Sequence, residues 1–202
     1  SLQIAILAFF GGMFFGLILA TIRTFGNNIS NKIVICYVTF FTNTPQLVQI
    51  YFLFFALPEF GILLSPYIAV LLGMTLNAAA YLCEIQRAGF LSIRQNELDA
   101  AKTLNFSLVQ QVKYVILPHI MKVLFPPLSN HYIIMTLGTS MAAIFGVEEL
   151  TGRAFNINSE TFRSVEIFSI TALIYIVITF IATFLLAVIG RYFFKAKIRI
   201  IQ

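Results

Sequence analysis

The charged residues of this 202-residue chain are so unevenly placed that five long stretches contain none. The windows Ser1–Ile22, Ile33–Pro58, Phe60–Cys83, Val123–Val147 and Ile167–Gly190 hold 22, 26, 24, 25 and 24 residues without an Asp, Glu, Lys or Arg. A helix needs about 20 apolar residues to cross ~30 Å of hydrocarbon at 1.5 Å per residue, and every window is long enough. Charged residues make up 10% of the chain and apolar ones 59%, against about 25% charged in soluble domains. Barrel strands would read as ~10-residue alternating segments, whereas Ile4–Leu19 and Ile170–Ile189 are apolar on every face. Since lipid supplies no partner for backbone N–H and C=O groups, helices remain. The expectation is an all-α integral membrane protein, one domain over 1–202, with spans at about 2–22, 34–57, 66–86, 119–146 and 167–190.

Basic residues mark the cytoplasmic side of a membrane protein. With alternating loops, Arg23, Lys32, Arg87, Arg94, Lys102, Lys113, Lys122, Arg191, Lys195, Lys197 and Arg199 share one side, while Arg153 and Arg163 sit opposite with most of the glutamates. The amino terminus is therefore expected outside and the carboxyl terminus inside. The net charge of +5 then reflects topology and not nucleic-acid binding, because the basic residues are scattered over separate loops; the tail Arg191–Arg199 could also touch anionic lipid. Ser1 opens inside an apolar run with no basic flank, so no cleavable signal peptide is read and the first native residues are expected to be missing. Cys36 and Cys83 both fall within expected spans, where small buried side chains are expected and a disulfide framework is not.

The segment Glu84–Lys122 is too long for a simple connection and carries helix signals. Ser92–Gln95 and Ser107–Gln110 both match the S-x-x-Q capping box, and Asn105 stands where a helix needs a left-handed closing residue. Between them, Asn96–Leu104 reads as a two-turn helix with Leu98, Ala101 and Leu104 on one stripe. A helix this short must dock. Its groove belongs either to a peripheral cytoplasmic partner or to the chain's own membrane-facing ends.

This stretch resembles the EAA motif of ATP-binding-cassette importer permeases, E-A-A, three residues, G, nine residues, I-x-L-P. Glu97-Leu98-Asp99-Ala100-Ala101-Lys102-Thr103-Leu104-Asn105 and Val115-Ile116-Leu117-Pro118 keep its spacing, with Asp99, Asn105 and Val115 as substitutions. Three further segments resemble the polar amino-acid permease group: Phe41–Gln49 is similar to F-R-G-T-P-x-L-V-Q, Asn77–Gly89 to N-x-x-A-Y-x-x-E-x-x-R-G-G, and Gly146–Thr151 to G-V-x-E-L-T. Departures include Thr42-Asn43 for Arg-Gly, Ala88 for Gly, and Gly138 where an acidic residue is common. The resemblance implies a type I permease subunit of the bacterial inner membrane that works in pairs, with an identical or sibling copy. It implies a coupling helix at about 96–105, with Glu97, Asp99, Ala100, Ala101, Leu104, Asn105 and Pro118 as coupling residues, seated on an ATP-binding-cassette ATPase dimer. It implies an extracytoplasmic amino-acid-binding protein that delivers substrate, and ATP with Mg on the ATPase. Independently, no G-x-x-x-x-G-K-[ST] occurs, so this chain lacks that route to binding ATP.

An amino acid's carboxylate and ammonium are costly to desolvate, so its path needs polar groups at membrane depth. Candidates within or at the edges of the spans are Thr44, Gln46, Gln49, Asn77, Tyr81, Glu84, Thr139, Ser140, Glu148 and Glu149, and of these Thr44, Gln46, Asn77, Tyr81, Thr139, Ser140 and Glu149 are taken as substrate-binding. Pro45 frees the carbonyl of Phe41, and a local break is expected there. Asn77 and Tyr81 share a helix face; Glu84, a turn on, is also read as an interfacial partner of Arg87 or Arg23. Gly138-Thr139-Ser140 serves close packing as readily as ligand contact, and Pro126-Pro127 are expected to bend the fourth span.

Catalysis is not expected. Gly138-Thr139-Ser140-Met141-Ala142 approaches G-x-S-x-G, but His131 on the same helix lies about 13.5 Å from Ser140 at 1.5 Å per residue, and two histidines without H-E-x-x-H make no metal site. The rival reading is an ion-coupled secondary transporter. It calls for inverted repeats and intramembrane charges, which this sequence does not display.

Overall fold

Every regular element of the computed structural model is helical among the described residues, 1–194. Lys195, Lys197 and Arg199, of the basic set expected inside, lie outside them. Helix α1 (Leu2–Phe25), α4 (Pro66–Leu91) and α9 (Ser164–Phe193) are each long and apolar enough to cross a membrane. The other two charge-free windows produce bent pairs. Helix α2 (Asn28–Asn43) meets the segment Gln46–Phe60 at 104°, and that segment runs as α3 (Gln46–Tyr51), a π turn (Phe52–Ala56) and a 3-10 turn. The second pair is a continuous rod over Leu108–Phe145 followed at 44° by α8 (Leu150–Thr161). Three to five crossings result, according to whether each bent pair makes one.

Local chemistry sets the helix ends. Asn27 caps α2, its Oδ1 accepting from the N–H groups of Ile29 and Ser30 at 3.1 and 2.9 Å. Pro66 opens α4 behind Ser65, whose hydroxyl accepts from the Ile68 N–H. The rod contains α6 (Leu108–Gln111), a π turn (Val112–Ile116) and α7 (Leu117–Gly138), then a 3-10 turn over Thr139–Phe145. Its widened turn ends two residues before Pro118, which has no N–H to give the Tyr114 carbonyl four residues back. The rod also passes through Pro126 and Pro127 without ending.

The tightest packing joins α1 to α4. A Cβ on Gly12 would stand 2.6 Å from Cβ of Ala78, and one on Gly16 would stand 3.1 Å from the Ala79 carbonyl, the Cys83 N–H and the Leu82 side chain. Ala5, Ala8 and Ala20 of α1 and Ala78, Ala79 and Ala80 of α4 are buried around this contact. Small residues let helix backbones approach where lipid gives no hydrophobic drive. Polar groups fasten the pair: Gln86 Nε2 donates to the Met13 carbonyl at 3.1 Å, and Glu84 binds both Arg23 and Arg87. Ile50 of α3, Val70 and Met74 of α4, Met135 of α7 and Phe145 build one core together with Ile4, Ala8 and Phe9 of α1. Helix α9 packs on α7 and α8 and buries little besides Thr171 and Gly190.

Cys83 is buried in the α1–α4 contact, but Cys36 is exposed on α2, contrary to the expectation that both are buried. A charge-free window marks a span without saying which helix face meets protein.

Candidate functional site

The sharpest local feature is the elbow at Thr44–Pro45. Proline at 45 cannot donate to the Phe41 carbonyl, and two side-chain amides replace the missing donor. Gln49 Nε2 reaches the Phe41 carbonyl at 3.0 Å and Asn77 Nδ2 reaches it at 3.1 Å. Asn77 Nδ2 also donates to Gln49 Oε1 at 3.1 Å, while Gln49 Nε2 donates to the Thr44 hydroxyl at 2.7 Å. Both amides are buried. The elbow is thus cross-linked to the middle of α4 and its polar groups are satisfied, as burial in lipid demands.

Beside the elbow lies a cleft of about 580 Å³ whose lining includes Thr44, Gln46, Asn77, Tyr81, His131 and Met135. Among the described residues, no Asp, Glu, Lys or Arg lines it. Tyr81 donates to the Thr42 carbonyl at 3.3 Å, and its ring centroid is 5.7 Å from that of His131 on α7. A Cβ on Gly138 would be 3.7 Å from Gln46 Oε1, so the absent side chain at 138 leaves space next to this cleft. Four of the seven residues singled out for substrate, Thr44, Gln46, Asn77 and Tyr81, are brought together here.

The other three are engaged elsewhere. Thr139 is fully buried and donates to the Thr136 carbonyl at 2.7 Å; Ser140 donates to the Leu137 carbonyl at 2.9 Å; neither lines the cleft. Glu149 is buried and caps α8. Its Oε1 accepts from the N–H groups of Thr151 and Gly152 at 2.8 and 3.1 Å, and its Oε2 accepts from Ser1 Oγ at 2.5 Å and Tyr175 OH at 3.0 Å. A carboxylate at a helix N-terminus meets unpaired N–H groups and the positive end of the dipole. Its neighbour Glu148 pairs with Arg153 at 2.7 Å. Thr42, Asn43 and His131 are polar cleft residues that were not singled out for substrate; Thr42 and Asn43 adjoin Thr44 in the matched segment, whereas His131 comes from α7. For His131 the available signal was its position on the i, i+3, i+4 stripe His131, Ile134, Met135, all of which line the cleft.

At the other candidate surface, α5 spans Gln95–Thr103 where a helix over 96–105 is expected. Ser92 does not start it: its hydroxyl donates to the Gly89 carbonyl at 2.7 Å and closes α4, and Arg94 becomes an N-cap with no side-chain bond. The second capping box, Ser107 with Gln110, forms as expected. Asn105 adopts φ 55°, and the N–H groups of Asn105 and Phe106 return to the carbonyls of Lys102 and Ala101, a Schellman closure. Ala101 is 3% exposed and faces its own chain, whereas Leu104 is 68% exposed and Ala100, Asp99 and Asn105 are exposed beside it. Glu97 is half-buried and reaches His119, the residue after Pro118. No cluster of three or more His, Cys, Asp or Glu suited to a metal occurs among the described residues.

The chain as a whole has known counterparts. Residues 12–195 match the family described as binding-protein-dependent transport system inner membrane component, and the chain belongs to that family. It is 36% identical over 193 residues to the glutamine transport system permease protein GlnP of Escherichia coli (strain K12), covering 95% of this chain and 88% of that one. It is 35% identical over 161 residues to the probable amino-acid ABC transporter permease protein PatM of Vibrio harveyi, covering 78% and 72%. Among solved structures, an amino acid ABC transporter crystallised with histidines is similar at TM-score 0.86 and 29% identity, covering 94% of this chain and 89% of that one. An inward-facing MetNI methionine ABC transporter shares the fold at TM-score 0.72 and 18% identity, covering 94% and 91%.

Proposed function

We propose that this chain is the permease subunit of an ATP-driven importer that moves polar amino acids across a bacterial inner membrane. Its partners in this reading are an ATP-binding-cassette ATPase dimer that holds ATP and Mg, a second permease, identical or sibling, an extracytoplasmic amino-acid-binding protein, and the surrounding lipid. The chain itself performs no catalysis. Five crossings are assigned, with the amino terminus outside and α5 on the cytoplasmic face. The single observation that carries the reading is the exposed outer face of α5, with Ala100 and Leu104 uncovered while Ala101 holds the helix to its own chain. A short helix that leaves an apolar edge open fits a groove in a partner.

Substrate passes beside the Pro45 elbow. Thr44, Gln46 and Tyr81 meet its ammonium and carboxylate, and Asn77 holds the wall. Thr139, Ser140 and Glu149 serve packing and capping around this path. ATP-driven closure of the ATPase dimer moves α5, and Glu97, Asp99, Asn105 and Pro118 hand that motion to α4 and α7.

The test is uptake of labelled amino acids into proteoliposomes. Transport is expected only with the cognate ATPase, ATP and the binding protein together. Uptake by the isolated chain under an ion gradient would replace this reading with a secondary transporter.

A further inference from the structure

His119 touches three elements at once. It lies in the first turns of α7, its Nε2 is 3.1 Å from the Ser92 carbonyl that ends α4, and its Nδ1 is 3.5 Å from Glu97 Oε2 in the first turn of α5. A carbonyl only accepts, so the ring presents Nε2–H to Ser92, and in its imidazolium form it donates to Glu97 as well. Helix α5 needs such a hold. The Schellman closure and Ala101 secure its carboxyl end, but its N-cap, Arg94, makes no side-chain bond.

We propose that His119 is a positioning residue that braces the amino end of α5 against the ends of α4 and α7, so that a push on α5 reaches both long helices together. The proposal rests on the importer reading. Without the brace, α5 pivots about its secured carboxyl end when the ATPase closes, and nucleotide is hydrolysed with less substrate moved. Because Glu97 acts through His119, the two residues form one unit and their substitutions are not additive.

The experiment uses the reconstituted complex of chain, ATPase and binding protein, and reads amino acid taken up per ATP hydrolysed. His119→Ala and Glu97→Ala are each expected to lower this ratio about fivefold, and the double variant to be no worse than the lower single one. His119→Gln retains a donor for the Ser92 carbonyl and is expected to recover part of the loss. Ratios equal to wild type, or losses that multiply in the double variant, overturn the proposal. Should His119→Ala fail to assemble, the decision passes to His119→Gln and Glu97→Ala: an unchanged ratio in both overturns it, and a lowered ratio in both supports it. Failure of the wild-type complex to show any ATP-dependent uptake strikes the importer reading instead.

Discussion

Asn77 of α4 and Gln49 of α3 share one amide hydrogen bond of 3.1 Å and converge on the same carbonyl, that of Phe41. The wall of the cleft and the break in the helix are therefore a single construction. Asn77 lies on the cleft surface while its donor group is committed inward.

Asn77→Leu is expected to lower stability by about 1–3 kcal/mol, since it strands Gln49 Oε1 in a buried site. The double variant Asn77→Leu with Gln49→Leu is expected to lose less than the sum of the two single losses, because the residues share one network. Thermal unfolding of the detergent-purified protein measures both.

Gly12→Val is expected to separate α1 from α4. Its new side chain starts 2.6 Å from Ala78 Cβ, with the backbone of Ala78 and Ala79 at 3.2 Å behind, and overpacking of this kind costs about 1–3 kcal/mol or more. Reduced folded yield and a lowered Tm relative to Gly61→Ala, which meets open space but carries the strain of φ 79°, would distinguish crowding at a helix contact from loss of a glycine in general.

Glu149→Ala is expected to cost about 0.5–2 kcal/mol through loss of the α8 cap, while the substrate KM of the assembled importer stays within twofold of wild type. A large rise in KM with unchanged stability would place Glu149 on the substrate path.

Ala100→Arg and Leu104→Glu are expected to weaken co-purification with the ATPase while shifting stability by less than about 0.5 kcal/mol, as exposed substitutions do. Ala101→Arg is expected to destabilise the loop itself, because that side chain is 3% exposed against its own chain. Thermal unfolding alongside pull-down separates the two effects.

Much of this architecture was legible in the chain. The charge-free windows mark the apolar helices because a charge at membrane depth is costly. Ser107 with Gln110, and Asn105, announce the ends of the loop helices through local hydrogen bonding alone, and Pro45 announces its break by the N–H it lacks. What needed three dimensions was direction. The stripe Leu98, Ala101, Leu104 gives no sign that Ala101 turns inward and Leu104 outward, since apolar character is the same whether the neighbour is self or partner. Ser92 satisfies a capping pattern yet closes the preceding helix, because α4 extends to Leu91 and claims its hydroxyl. Glu149 offered a charge at a span's edge, and only the fold brings Ser1 and Tyr175 to it. Gly12-x-x-x-Gly16 is a readable packing signal that lies outside the matched segments.

At Gly12 and Gly16 the α1 backbone sits directly on Ala78, Ala79 and Cys83 of α4 with no long side chain between, so the two helices are expected to move as one plank. Whatever rearrangement alternating access requires then concentrates at the joints on either side, the 104° turn at Pro45 and the 44° turn before α8. Spin labels on α1 and α4 should hold a constant separation with and without ATP, while a pair straddling Pro45 should not. A locked pair of helices thereby decides where its neighbours hinge.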